Sequence, residues 1–180
     1  MKVTPTALPE VLLVEPRVFR DDRGLFFESW NARTFASLGI DATFVQDNHS
    51  RSRRGVLRGL HYQIEHAQGK LVRAVTGTVY DVVVDIRRSS PTFGRSVGVT
   101  LSAESMAMLW VPPGFAHGFL ALSDTVDFLY KTTDYWYPEH ERTLLWNDPA
   151  LGLEWPLDGM QPQLAPKDAL GLLLRDAELY

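Results

Sequence analysis

The sequence predicts a mostly β protein, an antiparallel sandwich or barrel with a helix at its C-terminal end. Three observations lead to this prediction: apolar and polar residues alternate with period two through the middle of the chain, turn signals separate the alternating stretches, and helical periodicity is confined to the margins. Many short strands joined by turns are typical of sandwiches and barrels. The chain has 180 residues and no linker, low-complexity segment or internal repeat, so we expect one domain, 1–180.

Three stretches give the strongest strand signals: VYDVVVDI (79–86), SVGVTL (96–101) and TVDFLYKT (125–132). Alternation places a set of apolar side chains of each stretch on one face. These sets are Tyr80, Val82, Val84 and Ile86; Val97, Val99 and Leu101; and Val126, Phe128 and Tyr130. Weaker strand signals cover 11–14, 71–75 and 108–111, with turn signals such as HAQG, SSPTFG and PPG between strands. Helical patterns occur in NARTFASL (31–38) and KDALGLLLRDAEL (167–179).

Composition narrows the class of protein. Hydrophobic residues make up 45% of the chain and charged residues 22%, which is typical of a globular protein. No apolar run approaches the ~20 residues that span a bilayer, and the N-terminus lacks the layout of a signal peptide, so we expect a cytoplasmic protein that makes no membrane association. The net charge of −4 argues against general nucleic-acid binding. A local basic cluster can still bind an anion; it comprises Arg51, Arg53, Arg54, Arg58, Lys70 and Arg73.

The stretch RGVLRGLHYQ (54–63) places His61 in an unusually cationic setting. A lone histidine on a strand is more often a hydrogen-bonded core residue than a catalyst. Nearby cations disfavour the imidazolium form until an anionic ligand compensates them, and such a setting suits a base beside an anionic ligand. Strict alternation puts Arg58 on the face opposite His61. If both side chains point into one cavity, Gly59 marks a bulge or a strong local twist.

The stretch PPGFAHGF (112–119) carries His117 in a turn that resembles the second metal motif of cupin barrels. A cupin metal site also needs a His-x-His pair, and the corresponding place reads His61-Tyr62-Gln63. The absence of cysteine excludes thiolate ligands and disulfides. We therefore expect no metal, and the lack of a glycine-rich nucleotide loop indicates no redox cofactor.

Each of the other polar residues has a purely structural interpretation. Arg23 and Glu28 in DDRGLFFE suit a hairpin with a surface ion pair, and QDN (46–48) suits a loop with side-chain-to-backbone bonds. Tyr130 lies on an apolar strand face, where a core tyrosine is the usual explanation. Trp136 is either a core residue or a flat surface for stacking a ring. Asp168 is either a helix cap or a catalytic group.

Six segments in order resemble the dTDP-4-dehydrorhamnose 3,5-epimerase family over residues 10 to 170. They are VLLVEPRVFRDDRGLFFESW, FVQDNHSRSRRGVLRGLHYQ, KLVRAVTGTVYDVVVDIRRSSPTFG, LWVPPGFAHGFLALSD, FLYKTTDYWYPEHE and WNDPALGLEWPL. The resemblance implies a cupin-type jelly roll, a homodimer and a reaction without metal. The fold and the metal-free site agree with what the residues alone predict.

The resemblance also implies a role for each matching residue. His61 corresponds to the base, Asp168 to the group that orients and polarises it, and Tyr130 to the opposing acid. Arg23, Arg58 and His117 correspond to groups that hold the diphosphate and its surroundings. Lys70 lies by the keto oxygen, and Trp136 replaces a Tyr or Phe that stacks on thymine. Further substrate contacts match Glu28, Gln46, Asn48, Glu141 and Lys167. The family usually has a serine just before the Lys167-Asp168 pair, where this chain reads LAPKD.

The substrate implied is dTDP-4-dehydro-6-deoxy-D-glucose. Carbons 3 and 5 flank the C4 ketone, so loss of a proton from either gives an enolate that the carbonyl stabilises. Inversion then needs a base on one face and an acid on the other. Three alternatives stay open: an epimerase that inverts only C3 or only C5, a metal-dependent cupin oxygenase, and a silent sugar-nucleotide binding module.

Overall fold

The computed structural model describes residues 1–180 and contains thirteen strands and two short helices. The strands are β1 (Lys2–Pro5), β2 (Leu12–Glu15), β3 (Val18–Asp21), β4 (Gly24–Phe27), β5 (Gln46–Arg53), β6 (Leu57–Gln63), β7 (Lys70–Thr76), β8 (Thr78–Asp85), β9 (Ser96–Ser102), β10 (Met108–Val111), β11 (Phe115–Ala121), β12 (Thr125–Thr132) and β13 (Glu141–Thr143). The helices are α1 (Ala32–Ser37) and α2 (Pro166–Ala169). Neither has the length or the apolar character that crossing a membrane requires.

The strands form two large antiparallel sheets and one small one. The six-stranded sheet has the order β1-β2-β10-β7-β12-β5, and the five-stranded sheet has the order β13-β6-β11-β8-β9. Strands that are distant in sequence pair with one another, as β10 does with both β2 and β7, because the chain crosses repeatedly between the sheets. The prediction of a mostly β, cupin-type jelly roll is confirmed, although the two sheets remain open at their edges.

The main core lies between the two large sheets. Val126 and Phe128 on β12 pack in one cluster with Val83 on β8, Phe119 on β11 and Leu101 on β9. Each such side chain contributes roughly 1.5–3 kcal/mol when it leaves water. The predicted inward faces of the 96–101 and 125–132 strands are therefore confirmed. Both faces of β8 are buried, since Val82 and Val84 belong to a second cluster beneath the C-terminal segment.

The C-terminal helix predicted over 167–179 is wrong in length, because α2 ends at Ala169. From Leu172 the chain pairs instead with the end of β13 and the residues that follow it. The Leu172 amide donates to Thr143 O at 2.9 Å, and the Leu145 amide donates to Leu172 O at 2.8 Å. Leu174 and Ala177 then pack on the outer face of the five-stranded sheet. Tertiary packing thus overrides the helical pattern of this apolar stretch. The predicted helix over 31–38 is confirmed as α1.

Strands β3 and β4 form a separate two-stranded hairpin, here called the ribbon (residues 18–27). The ribbon pairs with neither large sheet. Three of its large apolar side chains, Phe19, Leu25 and Phe26, are exposed to solvent. An isolated hairpin is marginally stable in water, so the ribbon needs a surface to rest on.

Candidate active site

A cavity of about 320 Å³ opens between the two large sheets, and we call it the central cavity. Eleven of the thirteen site residues expected from the sequence line it. They are Gln46, Asn48, Arg58, His61, Lys70, His117, Tyr130, Trp136, Glu141, Lys167 and Asp168. The six-stranded sheet contributes Lys70 and Tyr130, while the five-stranded sheet contributes His61 and His117, so the cavity has two chemically different walls.

His61 and Asp168 form the shortest of the contacts in this cavity between an imidazole and a carboxylate. Asp168 Oδ1 lies 2.6 Å from His61 Nε2, with 21% of the His61 side chain exposed and 2% of the Asp168 side chain. Ala165, not Asp168, occupies the N-cap of α2, so the carboxylate is directed to the imidazole rather than to the helix end. Burial lowers the pKa of His61; Asp168 opposes this shift, and Lys167 and Lys70 add to it. The imidazole is therefore neutral near pH 7 and can accept a proton.

Arg58 reaches the same cavity because β6 is irregular. The pairing of β6 with β11 slips between His117 and Phe119, opposite Gly59, which has φ +108°. A Cβ on Gly59 would lie 2.6 Å from His117 O, so no other residue fits this backbone. The bulge expected at Gly59 is confirmed, and it brings Arg58 and His61 to one wall. Arg58 Nε donates to Ser52 Oγ at 3.0 Å, which orients the guanidinium.

Lys70 is a buried cation that forms no ion pair. Its ammonium donates to His61 O at 3.4 Å, and no carboxylate lies within ion-pair distance. Burial lowers the pKa of Lys70 to about 8, against the opposing fields of Glu141 and Asp81. A desolvated ammonium of this kind gains a partner when an anionic oxygen enters the cavity.

His117 belongs to a second histidine–aspartate pair that the sequence interpretation missed. Its Nε2 lies 2.9 Å from Asp81 Oδ2, and the Asp81 side chain is fully buried. Burial raises the pKa of Asp81, and His117 and Lys70 oppose the shift. The available signal was a carboxylate between the apolar residues Tyr80 and Val82 of strand β8. Alternation places Asp81 on the face opposite these two neighbours, but it does not identify a partner for the carboxylate.

Tyr130 stands on β12, on the wall opposite His61. Its Cα pairs with those of Asn48 and Val72 on the adjacent strands, which fixes its position in the sheet. Burial raises the pKa of the phenol; Glu141 adds to the shift and Arg58 opposes it. The phenol is therefore protonated near neutral pH and can donate a proton.

Trp136 lies at the rim of the cavity on a loop held by three glutamine side chains. Gln46 Oε1 accepts from the Trp136 amide at 3.1 Å, and Gln63 Oε1 accepts from the Tyr137 amide at 2.7 Å. Gln68 Nε2 donates to Asp134 O at 2.9 Å. Half of Trp136 is exposed, so it is not a core residue. Sequence reasoning found Gln46 but missed Gln63 and Gln68, because their partners are backbone groups distant in sequence.

Lys167 and Glu141 face each other at the cavity mouth, with Lys167 Nζ 2.8 Å from Glu141 Oε2. Lys167 stands on α2 and Glu141 on β13, so the ion pair links the C-terminal segment to the five-stranded sheet. Both groups line the entrance of the cavity.

Arg23 and Glu28 do not join the central cavity of their own chain. Arg23 is at the tip of the ribbon, where its guanidinium contacts Asp21 at 2.5 Å and 89% of its side chain is exposed. Glu28 accepts from Asn31 Nδ2 at 3.1 Å near the start of α1. The surface ion pair expected in this hairpin therefore forms with Asp21 rather than with Glu28.

No group of three or more His, Cys, Asp or Glu side chains lies in an arrangement that could hold a metal ion. The two histidines of the cavity each contact a separate carboxylate, Asp168 and Asp81. The donor set is thus arranged as two pairs rather than as one metal site.

The fold and the cavity define a cupin-like jelly-roll enzyme whose cavity combines a neutral imidazole, a phenol and a buried ammonium. A sequence profile described as dTDP-4-dehydrorhamnose 3,5-epimerase matches residues 5–176. The chain belongs to the dTDP-4-dehydrorhamnose 3,5-epimerase family, and it is an isomerase.

Individual relatives are similar over their whole length. The dTDP-4-dehydrorhamnose 3,5-epimerase of Pseudomonas aeruginosa is 60% identical over 100% of this chain and 99% of its own. That of Salmonella typhimurium is 58% identical over 99% of this chain and 98% of its own. A dTDP-6-deoxy-D-glucose-3,5-epimerase from Legionella pneumophila, solved in complex with dTDP-4-keto-L-rhamnose, is 51% identical, covers 98% of this chain and 94% of its own, and superimposes with a TM-score of 0.95.

Proposed function

We propose that this enzyme inverts C3 and C5 of dTDP-4-dehydro-6-deoxy-D-glucose and so forms dTDP-4-dehydro-L-rhamnose. The observation that carries the proposal is the arrangement of the central cavity, in which His61, backed by Asp168, and Tyr130 stand on opposite walls. An epimerase needs a proton acceptor on one face of the sugar and a proton donor on the other.

Proton transfer follows from the charge states of these groups. Neutral His61 removes a proton from C3 or C5, and Asp168 stabilises the imidazolium that forms. The electron pair of the broken C–H bond forms a double bond to C4, and the π pair of the carbonyl moves to the C4 oxygen, where the Lys70 ammonium stabilises the enolate. The phenol of Tyr130 then protonates the carbon from the opposite face. Exchange with solvent returns the proton of His61 to water and restores the phenol, so no electrons are gained or lost.

Binding of the nucleotide part would use the remaining wall and the rim. Arg58 and His117 hold the diphosphate, since a guanidinium offers paired donors to its oxygens. Trp136 stacks on thymine at the rim, and the polar groups Gln46, Asn48, Glu141 and Lys167 make the further contacts. The side-chain oxygen of Gln46 already accepts from the Trp136 amide, and its Nε2 donates to Asn48 Oδ1. Gln46 therefore acts mainly by positioning Trp136 and Asn48.

We propose a homodimer in which the ribbon of one subunit rests on the partner. The exposed apolar residues Phe19, Leu25 and Phe26 need cover, and a two-stranded ribbon is marginally stable alone. Arg23 would then act on the diphosphate, and Glu28 would contact substrate, at the partner's cavity rather than at their own. This arrangement accounts for two site residues that are remote from the cavity of one chain.

Mixed dimers test whether Arg23 acts in the cavity of the partner subunit. A His61→Asn subunit has an intact ribbon, and an Arg23→Ala subunit has an intact cavity. Mixing the two inactive or weakened variants should restore activity at one of the two sites of each mixed dimer, because the intact cavity receives the intact arginine. No recovery in dimers shown to have exchanged subunits would place Arg23 in its own chain's chemistry or outside the site.

The reaction itself is tested by incubating the enzyme with the 4-keto sugar nucleotide in D2O and following both carbons by NMR. Deuterium at C3 and C5 with the rhamnose configuration supports the proposal. Incorporation with inversion at only one carbon would identify a monoepimerase. Such an enzyme needs the same acid and base as one that inverts both carbons. No incorporation at either carbon would contradict the proposed reaction.

A further inference from the structure

The segment that carries Asp168 is held in place by its ends rather than by its helix. Helix α2 has four residues, and so short a helix is not stable by itself. Asp168 nevertheless approaches His61 to 2.6 Å. We call residues 163–172 the strap, since both of its ends are bonded to the strands around His61 while its middle spans the cavity mouth.

The first end of the strap is bonded to the start of β6, the strand of His61. The Leu57 amide donates to Gln163 O at 3.0 Å, and the Gln163 amide donates to Gly55 O at 2.8 Å. The second end pairs Leu172 with Leu144, just beyond β13, whose Thr143 is the cross-strand partner of His61. The strands β6 and β13 therefore position both His61 and the segment that carries Asp168.

Gly171 determines how closely the second end can approach. A Cβ at this position would lie 2.7 Å from Leu144 C, 2.7 Å from Leu145 N and 2.8 Å from Leu144 O. These are backbone atoms of a paired segment, which cannot turn aside as a flexible side chain can. Any larger residue must therefore move the strap outward by several tenths of an ångström.

We propose that Gly171 is a positioning residue that sets the contact between Asp168 and His61. The glycine touches no reacting group, and its effect reaches the cavity through the strap, three residues away. The inference rests on the proposed role of the His61–Asp168 pair. It explains why an apolar stretch with helical periodicity ends its helix early: a continued helix would move residues 171–172 off the strand that they pair with.

Gly171→Ala tests the proposal, with Leu170→Ala as the matched control. Leu170 is in the same strap, but it is 79% exposed and its loss should leave kcat unchanged. Gly171→Ala should lower kcat at least ~10-fold, because displacements of this size weaken an oriented catalytic contact. The pH profile separates this effect from partial unfolding. The charged or titratable groups that face His61 are Asp168 and Lys167 from α2, Lys70 from β7 and His117 from β11. Because Asp168 raises the pKa of His61, withdrawal of this carboxylate lowers the pKa of His61 further and moves the acidic limb of kcat to lower pH.

A double-mutant comparison shows whether Gly171 affects kcat through Asp168. If Gly171 acts through Asp168, the Gly171→Ala change should cost little more in an Asp168→Asn background. If Gly171→Ala does not fold, Gln163→Pro removes one hydrogen bond at the opposite, exposed end of the strap and should give the same shift of the acidic limb. Additive losses of kcat, or an unchanged kcat and profile in a folded Gly171→Ala enzyme, would overturn the inference. A wild-type kcat in Asp168→Asn would instead contradict the proposed role of the pair.

Discussion

The two histidine–aspartate pairs of the cavity have similar contacts but different surroundings. His117 and Asp81 both stand on central strands, with 8% and 0% of their side chains exposed, and the His117 ring is nearly parallel to that of Phe128 at 6.4 Å. His61 borders the open part of the cavity, and its carboxylate comes from a short helix at the cavity mouth. We call His117 and Asp81 the inner pair and His61 and Asp168 the outer pair. We expect the enclosed inner pair to hold its part of the sheet in place and the outer pair, which borders the open cavity, to take part in proton transfer.

Removal of the proposed acid Tyr130, which lies opposite the outer pair, should have the largest effect on product formation. Tyr130→Phe keeps the ring that packs on the main core, so the fold should survive. Formation of the inverted product should fall by ~10²-fold or more, since a positioned acid contributes at least that factor. His61 can still remove a proton and return deuterium to the same face, so NMR in D2O should detect exchange with retained configuration. Inversion at the wild-type rate would mean that another group is the donor.

The inner pair should matter more for stability than the outer pair. Asp81→Ala leaves buried His117 without its partner, which should lower the free energy of unfolding by about 1–3 kcal/mol. Asp168→Ala should lower kcat with a smaller loss of stability, because the His61 that it leaves unpaired borders the open cavity, where 21% of its side chain is exposed. Denaturant unfolding of both variants checks the difference. Equal losses of stability would remove the distinction between the pairs.

The buried cation Lys70 should set the alkaline limit of activity. Burial lowers the pKa of Lys70 to about 8, and the lysine is charged only below that pH. In the free enzyme kcat/KM should therefore decline as the pH rises through 8, while the lowered pKa of His61 determines the acidic limb. Lys70→Arg keeps the charge at higher pH, so any activity it retains should lose the alkaline decline. An unchanged alkaline limb in that variant would assign the titration to another group.

The rim should contribute binding rather than chemistry. Stacking on a base is worth ~1–3 kcal/mol, so Trp136→Ala should raise KM for the sugar nucleotide about 10-fold. The change in kcat should be smaller, because the nucleotide is remote from the reacting carbons. Steady-state kinetics measures both constants. An unchanged KM would mean that Trp136 does not touch the nucleotide.

Strand and cavity residues could be predicted because their signals are local. Alternation in the 125–132 stretch gave the inward face of β12, and the family motifs gave His61, Lys70 and Tyr130. Strict alternation places Arg58 and His61 on opposite faces of the strand. A cavity shared by both side chains therefore required a bulge or a strong twist at Gly59. These features depend on residues within one strand or one turn. The structure confirms the inward face of β12 and the bulge at Gly59, and it places His61, Lys70 and Tyr130 around the central cavity.

Features that depend on distant contacts could not be predicted. The helix over 167–179 failed because Gly171 and Leu172 meet the segment after β13, a contact that the local pattern cannot show. Asp81 was overlooked since its partner His117 is 36 residues away. The position of Arg23 was unexpected because a ribbon separate from both sheets has no distinct sequence signal.

Deuterium wash-in with saturating substrate tests the difference between the pairs most directly. It compares His61→Asn with His117→Asn, two identical changes at cross-strand partners on the same wall. If the outer pair transfers the proton, His61→Asn should show no deuterium at C3 or C5, while folded His117→Asn should retain measurable incorporation despite weaker binding. Exchange that persists in His61→Asn and disappears in substrate-saturated His117→Asn would contradict the assignment and make the inner histidine the base.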